Sequence, residues 1–176
     1  MRTIETNLYK FEELNEDAQK KCLNLMYDIN VNYEWWDFIY YEAKELGFKI
    51  NSFDIGRGSN INITLNDSMF DIMKKIEDNH GEECDTFIMA KEYNEKRDSL
   101  VYTYSDRKNT EVVHDDFIDV FDEEEENLND EYRSILEEEY LSILINEYDF
   151  LTSDKAIIES IKANEYEFNE SGELNY

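Results

Sequence analysis

The chain has 176 residues, of which 44 are Asp or Glu and only 17 are Lys or Arg, giving a formal charge of -27 at neutral pH. That charge repels phosphate, acidic membranes and nucleic acid, so it excludes direct DNA or RNA binding and membrane attachment, and it steers the protein toward basic surfaces instead. Aromatic residues form 14% of the sequence, which separates it from disordered acidic chains, and a chain of this length buries roughly 70% of the surface it exposes when unfolded.

Asn15 is placed to cap a first helix, with Glu16 and Asp17 in the first turn and Ala18, Cys22, Leu25, Met26 and Ile29 at helical spacing. A second helix follows a short link. It puts Trp35, Phe38, Ile39, Ala43 and Leu46 on one stripe, with Gly47 as a C-terminal cap. From Phe48 the period changes: "FKINSFDIGRGSNINITL" carries a Gly-Arg-Gly-Ser turn between two β-prone runs and predicts a hairpin, with Ile61, Ile63 and Leu65 on one face.

Asn66 or Asp67 would cap a third helix with Met69, Ile72, Met73 and Ile76 inward, and "EECDTFIMAKEYNEKRDSL" predicts a fourth. "LVYTYSDRKNTEVVH" reads as a second hairpin, with Val101 and Tyr102 before the turn and Val112 and Val113 after it, or else as more helix. The longest helical pattern spans Asn127 to Phe150, with Leu128, Tyr132, Ile135, Leu136, Tyr140, Ile143, Leu144 and Tyr148 as its apolar stripe. Ser153 caps a short helix to about Ile161, and "EYEFNESGEL" predicts a strand or small hairpin around Gly172. With no repeat and no linker composition, the reading is one α+β domain over residues 1–176, mainly helical with a small antiparallel sheet.

No constellation points to catalysis, and neither a metal nor a cofactor is expected. His80 and Cys84 lie four apart and could share a helix face, but zinc sites need further ligands. No family signature of a nucleophile surrounds Cys22, Cys84 or either histidine. The Gly-Arg-Gly-Ser stretch lacks the spacing of a phosphate loop. Cys22 and Cys84 form no disulfide framework and the start has no apolar signal segment, so a reducing cytoplasm is the expected compartment.

The segment with an unusual composition runs from Asp115 to Glu139. It holds Asp115, Asp116, Asp119, Asp122, Glu123, Glu124, Glu125, Glu126, Asp130, Glu131, Glu137, Glu138 and Glu139, with Arg133 alone opposing them in the sequence. A solvated helix face usually mixes signs, because oppositely charged neighbours four apart stabilise by a few tenths of a kcal/mol and like charges cost about as much. Carboxylates on a rigid scaffold can reproduce the field of a nucleic-acid backbone, whose phosphates repeat about every 3.4 Å along each strand. The segment is therefore the candidate partner-binding surface. Trp35 and Trp36, adjacent and about 100° apart if helical, are candidate aromatic anchors, one in the core and one at its edge. Exposure of Trp36 or Tyr41 would suit a symmetric homodimer.

"LYKFEELNEDAQKK", "NYEWWDFIYYEAKELGFKINSFDIGRG" and "IKANEYEFNESGEL" together resemble a group of small acidic proteins from phages and prophages of low-GC bacteria, some loosely labelled antitoxin-like. The likeness covers the N-terminal third and the C-terminal tail and supplies no catalytic residues. It implies an anti-defence setting. The expected function is an anti-CRISPR type inhibitor, not an enzyme, that acts in the host bacterial cell by covering a basic nucleic-acid-binding surface of an RNA-guided effector nuclease. The alternatives are an antitoxin or regulator of a basic toxin, and an inhibitor of a restriction system.

Overall fold

The structure, a computed structural model, describes residues 7–107 and 115–174, except for the side chains of residues 105–107 and 115–119. It is an α+β fold, mainly helical, with a two-stranded antiparallel sheet. The chain divides into two compact units, Phe38–Leu144 and Met1–Asp37 with Ile145–Tyr176.

The larger unit begins with helix α2 (Asp37–Leu46), after α1 (Glu16–Leu25) of the smaller unit. Ile39, Ala43 and Leu46 turn inward from α2, whereas Phe38 lies on its exposed side. Gly47, at φ 105°, ends the helix in a conformation that favours glycine, and its carbonyl accepts from the amides of Asn66 and Asp67. Strands β1 (Phe48–Asp54) and β2 (Asn60–Leu65) form the predicted hairpin. Ile63 is buried and Ile61 and Leu65 are half-buried on the shared face. A register slip between Ile50 and Ser52 leaves Asn51 as an extra residue, which returns Phe53 to that face opposite Ile61. The Asn51 amide donates to Asn62 Oδ1 and Thr64 Oγ1, both at 2.8 Å.

Helix α3 (Met69–Asn79) buries the predicted Met69, Ile72, Met73 and Ile76, but its cap is Ser68, whose hydroxyl accepts from the Asp71 amide. The helix opens at Met69, which puts Ser68 at the cap position, and the Asp67 carboxylate is paired with Lys75 Nζ at 2.7 Å. Helix α4 spans Asp85–Arg107, so Val101 and Tyr102 are helical and not the first arm of a hairpin. Continuing a formed helix adds one hydrogen bond for each residue fixed, which outweighs the modest β preference of two residues. Val112 and Val113 lie outside the described residues.

Helix α5 (Asp115–Leu151) starts well before Asn127, since a Glu-rich run has good helix propensity. Leu128, Tyr132, Leu136, Tyr140 and Leu144 are its buried stripe, and Ile135, Ile143 and Tyr148 are half-buried beside it. Tyr140 packs edge-on to Phe48 of β1 at 4.8 Å, and Tyr132 meets Tyr93 of α4 at 5.3 Å. The Tyr93 hydroxyl donates to Asn129 Oδ1 at 2.6 Å, and Arg133 Nη2 donates to the Ile63 carbonyl at 3.3 Å. These contacts fix α5 against both α4 and the hairpin.

In the smaller unit, Asn15 caps α1 as predicted, accepting from the Ala18 amide. Its core joins Ala18 and Cys22 to Phe11, Leu14, Phe168 and, from helix α6 (Asp154–Ala163), Ile157 and Ile161. Leu25, placed inward by the spacing, is exposed. Ser153 caps α6 through the Ala156 amide. The tail forms isolated bridges, Tyr9 with Phe168 and Phe168 with Leu174, in place of a regular strand. Gly172 sits at φ 79° where a Cβ would lie 2.2 Å from the Ala18 carbonyl oxygen, so the turn can hold no other residue without moving α1.

Candidate functional site

Helix α5 carries the predicted acidic surface, and the structure sorts its carboxylates into groups. Asp115, Asp116 and Asp119 belong to the helix by their backbone, but their side chains lie outside the described residues. Three others are tied up internally. Glu125 takes a short pair from Arg97 Nε at 2.7 Å, Glu131 pairs with Lys96 Nζ at 3.4 Å, and Glu137 pairs with Arg133 Nε at 3.5 Å. Arg133 is therefore not the sole opposing cation, because packing brings Lys96 and Arg97 of α4 alongside. Both also cover rings: Arg97 lies 4.2 Å from the Phe70 centroid and Lys96 4.9 Å from that of Tyr132.

Glu139 is half-buried, and its carboxyl is held above the usual range by burial first and then by the neighbouring charges of Asp85 and Glu138. Glu138 itself is exposed. Glu124 lines a groove of about 400 Å³ between α4 and α5, with Lys96, Ser99, Leu100, Asn127, Leu128 and Glu131.

The remaining four form the ridge. Asp122, Glu123, Glu126 and Asp130 are exposed, and among the described residues no ion pair involves them. At about 100° and 1.5 Å per residue they fall within one arc of about 100° and span about 12 Å of helix, a mean step of about 4 Å. That step is close to the roughly 3.4 Å between phosphates of a nucleic-acid strand. Behind the ridge are Leu128, Tyr132 and Leu136, at most 8% exposed. The charges thus stand on a packed helix rather than on a tail.

Trp35 and Trp36 are not on α2 but in the turn ahead of it, since the helix opens only at Asp37. Neither is core: both are half-buried, with their rings edge-to-face at 5.5 Å. Tyr41 is 63% exposed on α2.

His80 closes α3 as its C-terminal cap and Cys84 precedes α4, so the two do not share a helix. The imidazole serves a different set: Nδ1 bonds the Thr86 hydroxyl at 2.6 Å, and Nε2 meets Glu42 Oε1 at 3.1 Å. Thr86 is buried, so this line of groups binds α2, α3 and α4 together and offers no reachable nucleophile. Spacing gave no sign of it, because its members come from separated elements. Burial pushes the Cys22 thiol up to about 11, far from a reactive thiolate at neutral pH. Among the described residues no group of three or more His, Cys, Asp or Glu gathers around a metal-sized site, and no helix is long and apolar enough to cross a membrane.

Compared with protein-family models, curated proteins and solved structures, the chain matches none.

Proposed function

We propose that the protein is an anti-defence inhibitor of the anti-CRISPR type, encoded by a phage or prophage and acting in the host cytoplasm. It binds the basic nucleic-acid channel of an RNA-guided nuclease and blocks DNA engagement by occupancy, without catalysis. The observation that carries this reading is the exposed ridge Asp122, Glu123, Glu126 and Asp130, with near-phosphate spacing on a buried-backed helix. A Lys- and Arg-lined channel that accepts such a ridge releases its bound anions, and the encounter is fast because the chain's net charge of -27 has the same sign as the ridge. The resemblance to small acidic phage proteins supplies the setting for this reading and no part of its chemistry.

The test is a pull-down with the purified chain from a host lysate that contains CRISPR and restriction systems, at low and high salt and with competing DNA. Recovery of an RNA-guided nuclease that DNA displaces, and that is lost as the screening length falls from about 10 Å at 0.1 M salt to about 3 Å at 1 M, supports the proposal. Recovery of a restriction enzyme redirects it to another defence system. Recovery of a small cationic toxin, resistant to DNA, overturns it.

A further inference from the structure

In the smaller unit the segment after α1 is held against the C-terminal end of α5 by Asn30. The buried Asn30 side chain donates to the Leu151 carbonyl at 2.9 Å and accepts from the Ser160 hydroxyl of α6 at 2.6 Å. This anchoring gathers rings from distant parts of the sequence. Trp35 lies 5.5 Å from Trp36 and 5.7 Å from Tyr148, whose hydroxyl shares a hydrogen bond with that of Tyr27. That bond, with burial and then the carboxylates of Asp28 and Asp149, holds the Tyr148 phenol above its ordinary range. Asp28 directly follows Tyr27 in the chain and Asp149 directly follows Tyr148, so each ring carries an acid beside it on the backbone.

Tyr27 of this group is 44% exposed, and Tyr33, two residues before Trp35 in the chain, is 58% exposed. From Cys22 to Ala43 and from Ser134 to Asp154 the sequence carries acidic residues and no Lys, Arg or His. An aromatic surface edged with carboxylates has a specific complement. A planar cation stacks on ring faces while its N–H groups reach the acids, which suits guanidinium better than a strongly hydrated ammonium. A second copy of this chain is the poorer fit, because two chains of charge -27 repel.

We propose that Tyr27, Tyr33, Trp35, Trp36 and Tyr148, with Asp28 and Asp149, form a docking site for arginine side chains of a basic partner protein. Because Asn30 already orders the segment, little conformational entropy is lost on binding. The site lies in the unit that does not hold the carboxylate ridge, and it rests on the mimicry reading only in that the partner is basic.

The chain has two tryptophans, Trp35 and Trp36, so tryptophan emission reports on this cluster directly. The full chain is titrated, at about 0.15 M salt, with a short peptide bearing two arginines and with its lysine counterpart. A saturable emission change is expected, with the arginine peptide bound at least about fivefold more tightly. Tyr33→Ala and Asp149→Asn, both at exposed positions that leave the core intact, should each weaken it by about three- to tenfold. Neutralising the ridge residues should preserve the arginine preference, so failure of the ridge and failure of this site read out separately. Equal response to both peptides, or unchanged affinity in both variants, overturns the proposal. So does an emission change on concentrating the chain alone that coincides with a dimer in sedimentation, which would assign the surface to a second copy.

Discussion

The ridge of α5 and the ring cluster of the smaller unit differ in how each would bind the cationic partner proposed for it. On the ridge, Asp122, Glu123, Glu126 and Asp130 stand exposed on one helix, while Lys96 and Arg97 are occupied with Glu131, Glu125 and the rings of Tyr132 and Phe70. In the cluster, the rings of Trp35, Trp36 and Tyr148 lie together, and Asp28 and Asp149 adjoin Tyr27 and Tyr148 in the chain. Binding at the ridge would depend on long-range Coulomb attraction and should be salt-sensitive. Binding at the cluster would depend on stacking and short hydrogen bonds and should resist salt. The difference teaches that net charge alone does not locate an interface: what matters is which carboxylates the fold has left without internal cations.

That contrast can be broken in order of expected effect. Replacing Asp122, Glu123, Glu126 and Asp130 together by Asn or Gln should weaken nuclease binding on the order of 100-fold at 0.1 M salt and flatten its salt dependence. The thermal midpoint should hold or rise as like-charge repulsion is relieved. Unchanged binding with a steep salt slope would move the interface elsewhere.

Arg97→Gln removes a 2.7 Å pair with Glu125 and the cover over Phe70, both largely shielded from water. A loss of about 1–2 kcal/mol is expected in denaturant unfolding. Partner binding should stay level or tighten, because Glu125 is released to the acidic face; a clear loss of binding would instead make Arg97 part of the contact.

Glu139 gives the smallest effect, and its sign is fixed by linkage. A carboxyl whose pKa is raised on folding binds more protons in the folded state, so it costs stability as pH rises through that raised value. Glu139→Gln should therefore lift the thermal midpoint by about 1–2 °C at neutral pH, with the gain vanishing below about pH 4. A gain that persisted in acid would refute the assignment.

Much of the fold was legible because periodicity and caps are local. The stripes of α3 and α5, the hairpin, Asn15 and Ser153 follow directly from residue type and spacing. The cap falls on Ser68 and not on Asn66 or Asp67 because all three residue types favour that position, and only the fold decides that the helix opens at Met69. The Trp pair was misplaced because an apolar run does not announce where its helix begins, although Asp37 in the first turn was an available sign. For the site, the sequence showed the acidic density but could not divide it. The division needs Lys96 and Arg97 of α4 brought alongside α5, and no spacing rule connects residues about thirty apart on two helices. The ring cluster was hidden for the same reason, since Tyr148 meets Trp35 only through the fold.

The most direct measurement of the central claim is DNA competition on a purified RNA-guided nuclease, the proposed partner, following labelled target DNA as the chain is added. The account predicts that the wild-type chain releases DNA, that raised salt abolishes the effect, and that the variant neutralised at Asp122, Glu123, Glu126 and Asp130 fails to compete while remaining folded. Inhibition with DNA still bound, or equal displacement by the neutralised variant, would contradict it.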